Sequence, residues 1–159
     1  MLINLLFTFI LSYILLSISK EDIKTMLISE KKLRIFALSG ILYLVNIVLS
    51  TNKINILYLF INNFIAMLII FSVMLSISFI SYKLFGINSL GLGDIKLSSI
   101  SSIWLGIEMS FISLCFSFLL SSLFSIYGII SKRFKRFHQY PFAPFLSIGI
   151  LCSWILDKI

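Results

Sequence analysis

Residues 91–130 read GLGDIKLSSISSIWLGIEMSFISLCFSFLLSSLFSIYGII, and this stretch decides the fold class. It carries only three charged side chains, those of Asp94, Lys96 and Glu108. Similar apolar runs recur along the rest of the chain, which has 159 residues and is 60% hydrophobic and 12% charged. The mean hydropathy of +1.11 lies far above that of soluble globular domains. The composition therefore indicates an integral membrane protein.

Polar interruptions divide the chain into six helical segments. They cover residues 3–19, 33–49, 54–84, 95–107, 109–130 and 142–156. Because no polar stretch is long enough for a separate soluble domain, we predict an all-α membrane protein that forms one domain over residues 1–159, a bundle of six transmembrane helices. The first run lacks a basic leader and a small-residue cleavage site, so we expect it to be retained as a span.

The fourth segment is a short helix that follows the Gly91-Leu92-Gly93-Asp94 loop. Its 13 residues extend about 20 Å at about 1.5 Å per residue, against about 30 Å of hydrocarbon. If Glu108 reaches the outer surface, Asp94 is expected below the inner surface. Ionisable groups at such depth usually face the bundle interior or a hydrated cavity.

The basic residues predict the orientation, because Lys and Arg near span ends are retained on the cytoplasmic side. Only Lys53 and Lys158 fall on one side of the predicted bundle. The other eleven fall on the opposite side: Lys20, Lys24, Lys31, Lys32, Arg34, Lys83, Lys96, Lys132, Arg133, Lys135 and Arg136. We therefore expect both termini outside and the ends of the helices near Asp22 and Asp94 in the cytoplasm.

The basic run 132–136, Lys-Arg-Phe-Lys-Arg, has two interpretations. It could recognise nucleic acid or lipid headgroups, or it could be the juxtamembrane loop that the topology alone requires. We favour the second interpretation and expect no nucleic-acid partner. His138, in the same loop, is predicted to be a solvated side chain rather than a catalytic base.

Asp22 and Asp94 are the two acids best placed to point from a helix end into the bundle. Helical spacing puts Asp94 on one small, polar face with four later residues: Ser98, Ser101, Ser102 and Leu105. On the first helix, Asp22 shares a stripe with two serines: Ser12 and Ser19. We expect this stripe to meet the serine face of the fourth helix.

Two such acids in contact cannot both ionise cheaply, so the pair holds a shared proton. That state suits amide hydrolysis, because one carboxylate activates a water while the protonated partner polarises the carbonyl. Gly91 and Gly93 can adopt positive φ and let another backbone approach Asp94. The alternative interpretation of Gly-x-Gly-Asp alone is a flexible loop with a solvated aspartate at a helix start.

Three separated segments resemble the type IV prepilin peptidases, intramembrane aspartic proteases of the Gly-x-Gly-Asp class. Residues 22–28 are similar to the first aspartate motif of that family, with Ser29 where the family usually has proline. Residues 91–97 are similar to its second motif, and residues 140–149, Tyr-Pro-Phe-Ala-Pro-Phe-Leu-Ser-Ile-Gly, to the start of its last helix.

The resemblance implies catalysis by Asp22 and Asp94 without a metal or organic cofactor. The implied substrate is a type IV prepilin or pilin-like protein, cut after a glycine that ends its short basic leader at the cytoplasmic face of a prokaryotic plasma membrane. Six further residues are implied to bind substrate or shape the site: Gly91, Gly93, Lys24, Lys96, Pro141 and Pro144. Both prolines are also explained by the preference of proline for the first turn of a helix.

Two acids outside the pair, Glu21 and Glu30, could attract the basic leader, although exposed acids at an interface are usually only solvated. Longer family members carry an N-terminal region with paired cysteines, linked to methylation of the new N-terminus. This sequence shows no such region, and we expect no methyltransferase activity.

Two other functions stay open. A peptidase of the presenilin and signal-peptide-peptidase kind shares Gly-x-Gly-Asp but cuts within a transmembrane helix. A small proton-coupled transporter would use the two acids to bind cations, although no inverted repeat is evident. The short first-motif loop and the segment 141–145, Pro-Phe-Ala-Pro-Phe, favour the prepilin peptidase.

Overall fold

The computed structural model describes residues 2–51, 56–86, 90–134 and 139–158, and within those ranges it contains helices and no strands. Five helices follow one another: α1 (Leu2–Thr25), α2 (Glu30–Thr51), α3 (Ile56–Phe85), α4 (Leu92–Ile130) and α5 (Ala143–Leu156). Among these described residues, three stretches are by length and composition able to cross a membrane: Glu30–Ser50, Leu57–Phe85 and Leu92–Ile130. The predicted class, an all-α membrane protein, is confirmed.

The predicted count of six transmembrane helices is not supported, because the described residues form five helical elements. Segments 95–107 and 109–130 lie in one continuous element, α4, which consists of two helices joined at a kink, and the short helix after the Gly-x-Gly-Asp loop is the first of the two. Inside α4 the backbone leaves the helical conformation at Gly106, with φ 72° and ψ −177°. That conformation is essentially restricted to glycine. One glycine therefore redirects the chain where the prediction placed a break between two helices.

Contacts with α5 reveal that α4 changes direction at Gly106. Before the glycine, Trp104 packs against Trp154 near the C-terminal end of α5, with ring centroids 5.6 Å apart. After it, Phe118 packs against Phe142 at the start of α5, with ring centroids 5.4 Å apart. The second part of α4 therefore returns along α5 to the end of the bundle where α5 begins.

The predicted inward face of α4 is confirmed, because Ser98, Ser101 and Ser102 are buried. The expected meeting of this face with the polar stripe of α1 is wrong. The backbone of α1 packs on α5 and α2, and the Ser19 hydroxyl donates a hydrogen bond to Ser147 Oγ of α5 at 2.8 Å. Small residues on α5 allow this close packing, so α5 is the helix that α1 meets.

Several predicted positions lie outside the described residues. They are the start of the third segment at residue 54, the loop lysine Lys53, and the basic-loop residues Lys135, Arg136 and His138.

Candidate active site

Asp22 lies near the end of α1, which continues to Thr25 instead of ending at Ser19. Its side chain is only 4% exposed, and its Oδ2 accepts a hydrogen bond from the backbone N–H of Ala143 at 3.0 Å. Ala143 is the first residue of α5, whose N-cap residue Phe142 makes no side-chain capping bond. Because the unpaired N–H groups and the positive dipole end of a helix attract carboxylates, Asp22 caps α5 from another helix.

Asp94 lies in the first turn of α4 and is half-buried. Its Oδ1 is shielded from solvent and has no hydrogen-bond partner in the described part of the chain. The carboxyl group of Asp22 interacts with it electrostatically. The carboxyl groups of two acids that are distant in sequence therefore lie within electrostatic range of each other. A buried carboxylate oxygen without a partner is uncommon, and it leaves this group available to a hydrogen-bond donor.

The expectation of positive φ at the motif glycines is wrong. Gly91 is the N-cap of α4, with an extended backbone at φ −72° and ψ 147°, and Gly93 lies within the helix. Both are nevertheless closely approached. A Cβ atom added to Gly91 would lie 3.3 Å from Asp94 Oδ2. A Cβ atom added to Gly93 would lie 3.2 Å from Ile28 Cβ. Steric access, and not backbone conformation, is the physical reason for glycine at both positions.

The two motif lysines do not contact the carboxyl pair. Lys96 donates a hydrogen bond to Glu30 Oε1 at 2.9 Å, in an ion pair whose two side chains are largely exposed. Lys24 is exposed in the last turn of α1, and its ammonium group is not placed against Asp22 or Asp94. Glu30 is therefore occupied by Lys96 at the surface, where such a pair contributes little stability.

A predominantly apolar groove of about 400 Å³ lies at the end of α1, where Ile23 and Met26 line it. Pro144 is in the first turn of α5, as predicted, whereas Pro141 precedes the helix. Both prolines line this open groove, which is bordered by the end of α1, the last turns of α4 and the start of α5. Its wall consists of Ile23, Met26, Phe124, Phe134, Gln139, Tyr140, Pro141, Pro144 and Phe145.

The turn between α1 and α2 is held by a polar cluster centred on Lys32. The Lys32 ammonium group donates to the carbonyl oxygen of Ser17 at 2.7 Å and lies 3.2 Å from Glu21 Oε2. Glu21 also accepts a hydrogen bond from the Ser29 N–H at 3.4 Å. Because Glu21 precedes Asp22 in α1, this cluster fixes the helix end that carries Asp22.

Sequence reasoning missed two of these contacts. The hydrogen bond from the backbone N–H of Ala143 to Asp22 cannot be predicted from any side-chain pattern, although the prolines near Ala143 indicate a helix start. The interaction of Lys32 with Ser17 has no sequence signal either, because a lysine at a span end is explained by topology alone. Across the four described ranges, no group of three or more His, Cys, Asp or Glu residues is suited to hold a metal ion.

The chain is thus a bundle of apolar helices with two interacting carboxyl groups at one end. This arrangement is that of a membrane protein with a two-acid site. Residues 9–126 match the type IV leader peptidase family. The match covers most of the chain, which therefore belongs to this family of peptidases, as the resemblance predicted. No curated protein matches the chain, and neither does any solved structure.

Proposed function

We propose that this chain is an intramembrane aspartic endopeptidase that removes the short basic leader from type IV prepilins or pilin-like proteins. Asp22 and Asp94 are its catalytic pair. The observation that carries the proposal is the buried, unpaired Oδ1 of Asp94, which lies in a carboxyl group within electrostatic range of the Asp22 carboxyl group. Membership of the type IV leader peptidase family supports the proposed substrate.

The hydrogen bonds of the two acids suggest their roles. The N–H of Ala143 stabilises the ionised form of Asp22, whereas Asp94 Oδ1 has no donor, so the shared proton is assigned to Asp94. Asp22 then removes a proton from water, the water oxygen bonds to the scissile carbonyl carbon, and Asp94 protonates the carbonyl oxygen. When the C–N bond breaks, Asp22 returns a proton to the leaving amine and Asp94 recovers its own.

The proposed site faces the cytoplasm of a prokaryotic cell, in the plasma membrane, with both termini outside. This orientation follows the excess of Lys and Arg at the Asp22 end of the bundle. A basic leader that stays in the cytoplasm would then reach the carboxyl pair directly. The whole chain serves as one peptidase domain, without nucleic acid, metal or organic cofactor.

The two alternative functions receive less support. Family membership favours cleavage at the leader over cleavage within a transmembrane helix, as in presenilin-like enzymes. In the part of the chain that the structure describes, no feature favours a proton-coupled transporter over the peptidase.

Incubation of the purified chain with candidate prepilins tests the proposal. We expect release of the leader as one peptide that ends in glycine, with the new N-terminus identified by mass spectrometry. Cleavage within the apolar segment would instead support the presenilin-like alternative. Uptake of a solute that depends on Asp94, without proteolysis, would support a transporter.

Lys32 is expected to position Asp22 through Glu21 and Ser17. Lys32→Met keeps much of the aliphatic stem but removes both polar contacts, so we expect kcat/KM for leader cleavage to fall roughly tenfold through misplacement of the carboxyl pair. Lys32→Arg should recover part of the loss, because it restores a donor. The measurement is cleavage of a prepilin by purified variants.

Lys31→Met is the matched control, because Lys31 is exposed and neighbours Lys32 in the same turn. It should cleave like the unmodified chain. Equal losses in the Lys31 and Lys32 variants would contradict a positioning role and point to a general effect of charge.

A further inference from the structure

We propose that Asn63 and Trp104 are positioning residues, which set the place of Asp94 from the opposite end of its helix. This inference rests on the proposed function of Asp94. The first part of α4, residues 92–105, carries Asp94 in its first turn and ends where the backbone leaves the helical conformation. Asp94 and Ile103 are nine positions apart, which is about 13 Å along a helix that rises about 1.5 Å per residue. Because a helix is stiff along its axis, a shift at its end moves the carboxyl group at its start.

The turn at Gly106 leaves the end of this helix in need of partners. The last four carbonyl groups of a helix have no acceptor bond within the helix, and unpaired polar groups are costly where water is excluded. The Ser110 hydroxyl donates a hydrogen bond to the carbonyl oxygen of Gly106, but this contact lies within α4 and fixes nothing to a neighbour. Contacts from other helices must therefore hold the end in place.

Asn63 of α3 holds this end from one side. Its Nδ2 donates a hydrogen bond to the carbonyl oxygen of Ile103 at 3.2 Å. Asn63 is only 8% exposed, whereas the next residue, Phe64, is 57% exposed. A buried carboxamide in a mostly apolar helix costs free energy unless it is paired. The carbonyl group that Asn63 satisfies is the physical reason for its place in α3.

Trp104 holds the same end on α2. Its indole Nε1–H donates a hydrogen bond to the carbonyl oxygen of Phe36 at 3.1 Å. The indole ring also stacks on Phe36 and Tyr43, with ring centroids 5.9 Å and 5.6 Å away. A Cβ atom added to Gly40 would lie 2.7 Å from Trp104 Nε1, so the ring lies directly against the backbone of α2.

The two hydrogen bonds join consecutive residues of α4 to two different helices. Hydrogen bonds are directional, so this pair fixes both the height and the rotation of the first part of α4. Displacement of a reacting group by about 1 Å can cost roughly 10²-fold in rate. Asn63 and Trp104 lie at the opposite end of the helix from Asp94, and they therefore affect the reaction through the position of Asp94.

Substitution of Asn63 tests the proposal. Asn63→Leu keeps the approximate size of the side chain but removes the donor, so we expect kcat for leader cleavage to fall roughly tenfold. Asn63→Gln keeps a donor on a longer stem and should recover part of the loss. Trp104→Phe removes the N–H but keeps an aromatic ring, and it should cause a similar loss. Asn62→Leu is the matched control, because Asn62 is an exposed neighbour, and this variant should cleave like the unmodified chain.

Combination with Asp94→Asn separates positioning from a general structural defect. If Asn63 acts through Asp94, Asn63→Leu should cause no further loss in a chain that already carries Asp94→Asn. A structural defect lowers the rate whether or not Asp94 is present. Losses that multiply in the combined variant would therefore overturn the proposal.

The distance between two spin labels measures the place of the start of α4 without reference to activity. The labels are attached through Lys24→Cys in α1 and Leu92→Cys in α4, because both positions are exposed. The two native cysteines, Cys115 and Cys152, are replaced by serine in this chain. The measurement is electron paramagnetic resonance of the labelled chain in detergent.

We expect the distance between the labels to change in Asn63→Leu and in Trp104→Phe but not in Asn62→Leu. An unchanged distance in both of the first two variants would overturn the proposal, even if cleavage falls. If Asn63→Leu does not fold, Trp104→Phe decides between these results. Failure of the unmodified chain to cleave any prepilin would overturn the proposed function, whereas the label distance would still decide whether Asn63 and Trp104 place the start of α4.

Discussion

Asparagine in place of either Asp22 or Asp94 is expected to lower kcat/KM for leader cleavage by roughly 10²- to 10⁴-fold, the usual contribution of a general acid or base. Asparagine keeps the size of the side chain but cannot accept or donate the shared proton. In Asp22→Asn the amide oxygen can still accept the hydrogen bond from Ala143, so the capping of α5 is retained. The measurement is cleavage of a prepilin by variants purified from membranes.

Glu108→Gln controls for the loss of a negative charge, because Glu108 is an exposed acid in α4 away from the carboxyl pair. This variant should cleave normally. All variants should insert and unfold at the same temperature as the unmodified chain, which separates lost chemistry from lost folding. Normal cleavage by the asparagine variant at either position of the pair would refute the proposed mechanism.

Gly149→Ala is expected to destabilise the protein, by about 1–3 kcal/mol if neighbouring groups must shift as in other overpacked cores. A Cβ at Gly149 would overlap the Ser117 hydroxyl and lie 2.5 Å from the carbonyl oxygen of Ser113. The hydroxyl can rotate away, but the backbone carbonyl cannot. The added methyl therefore separates α5 from the second part of α4, and thermal unfolding in detergent should show a lower midpoint.

Ile148→Ala is the control for Gly149→Ala, because Ile148 is the preceding residue of α5 and is 47% exposed. Truncation of the Ile148 side chain should leave the midpoint of thermal unfolding nearly unchanged. A midpoint for Gly149→Ala equal to that of the unmodified chain would contradict the tight packing of α4 on α5. Activity should fall together with stability, since displacement of α5 moves the Ala143 N–H away from Asp22.

Much of the fold follows from local sequence. Apolar runs fix where four of the helices lie to within a few residues, except that α1 continues to Thr25. The serine face of α4 is predictable because helical periodicity alone places its residues together. The conformation at Gly106 is not predictable from sequence, because a glycine in an apolar helix is equally compatible with straight, kinked and reversed paths of the chain. The choice depends on packing against α5.

The candidate site divides in the same way. The Gly-x-Gly-Asp motif and an acid near the end of an earlier helix are local features, and they single out Asp94 and Asp22 from sequence alone. The cap that Asp22 forms on Ala143 joins residues 121 positions apart in sequence, and no local pattern encodes such a pairing. Sequence also does not distinguish Lys32, which is half-buried in a polar cluster, from the exposed Lys31 beside it.

The central claim is that Asp22 and Asp94 act as one unit, and a double-mutant comparison tests it most directly. Residues that act together in one step lose most of the catalysis when either is removed. We therefore predict that Asp22→Asn, Asp94→Asn and the double variant release the leader at the same residual rate, measured by mass spectrometry over long incubations. Losses that multiply in the double variant would contradict the account.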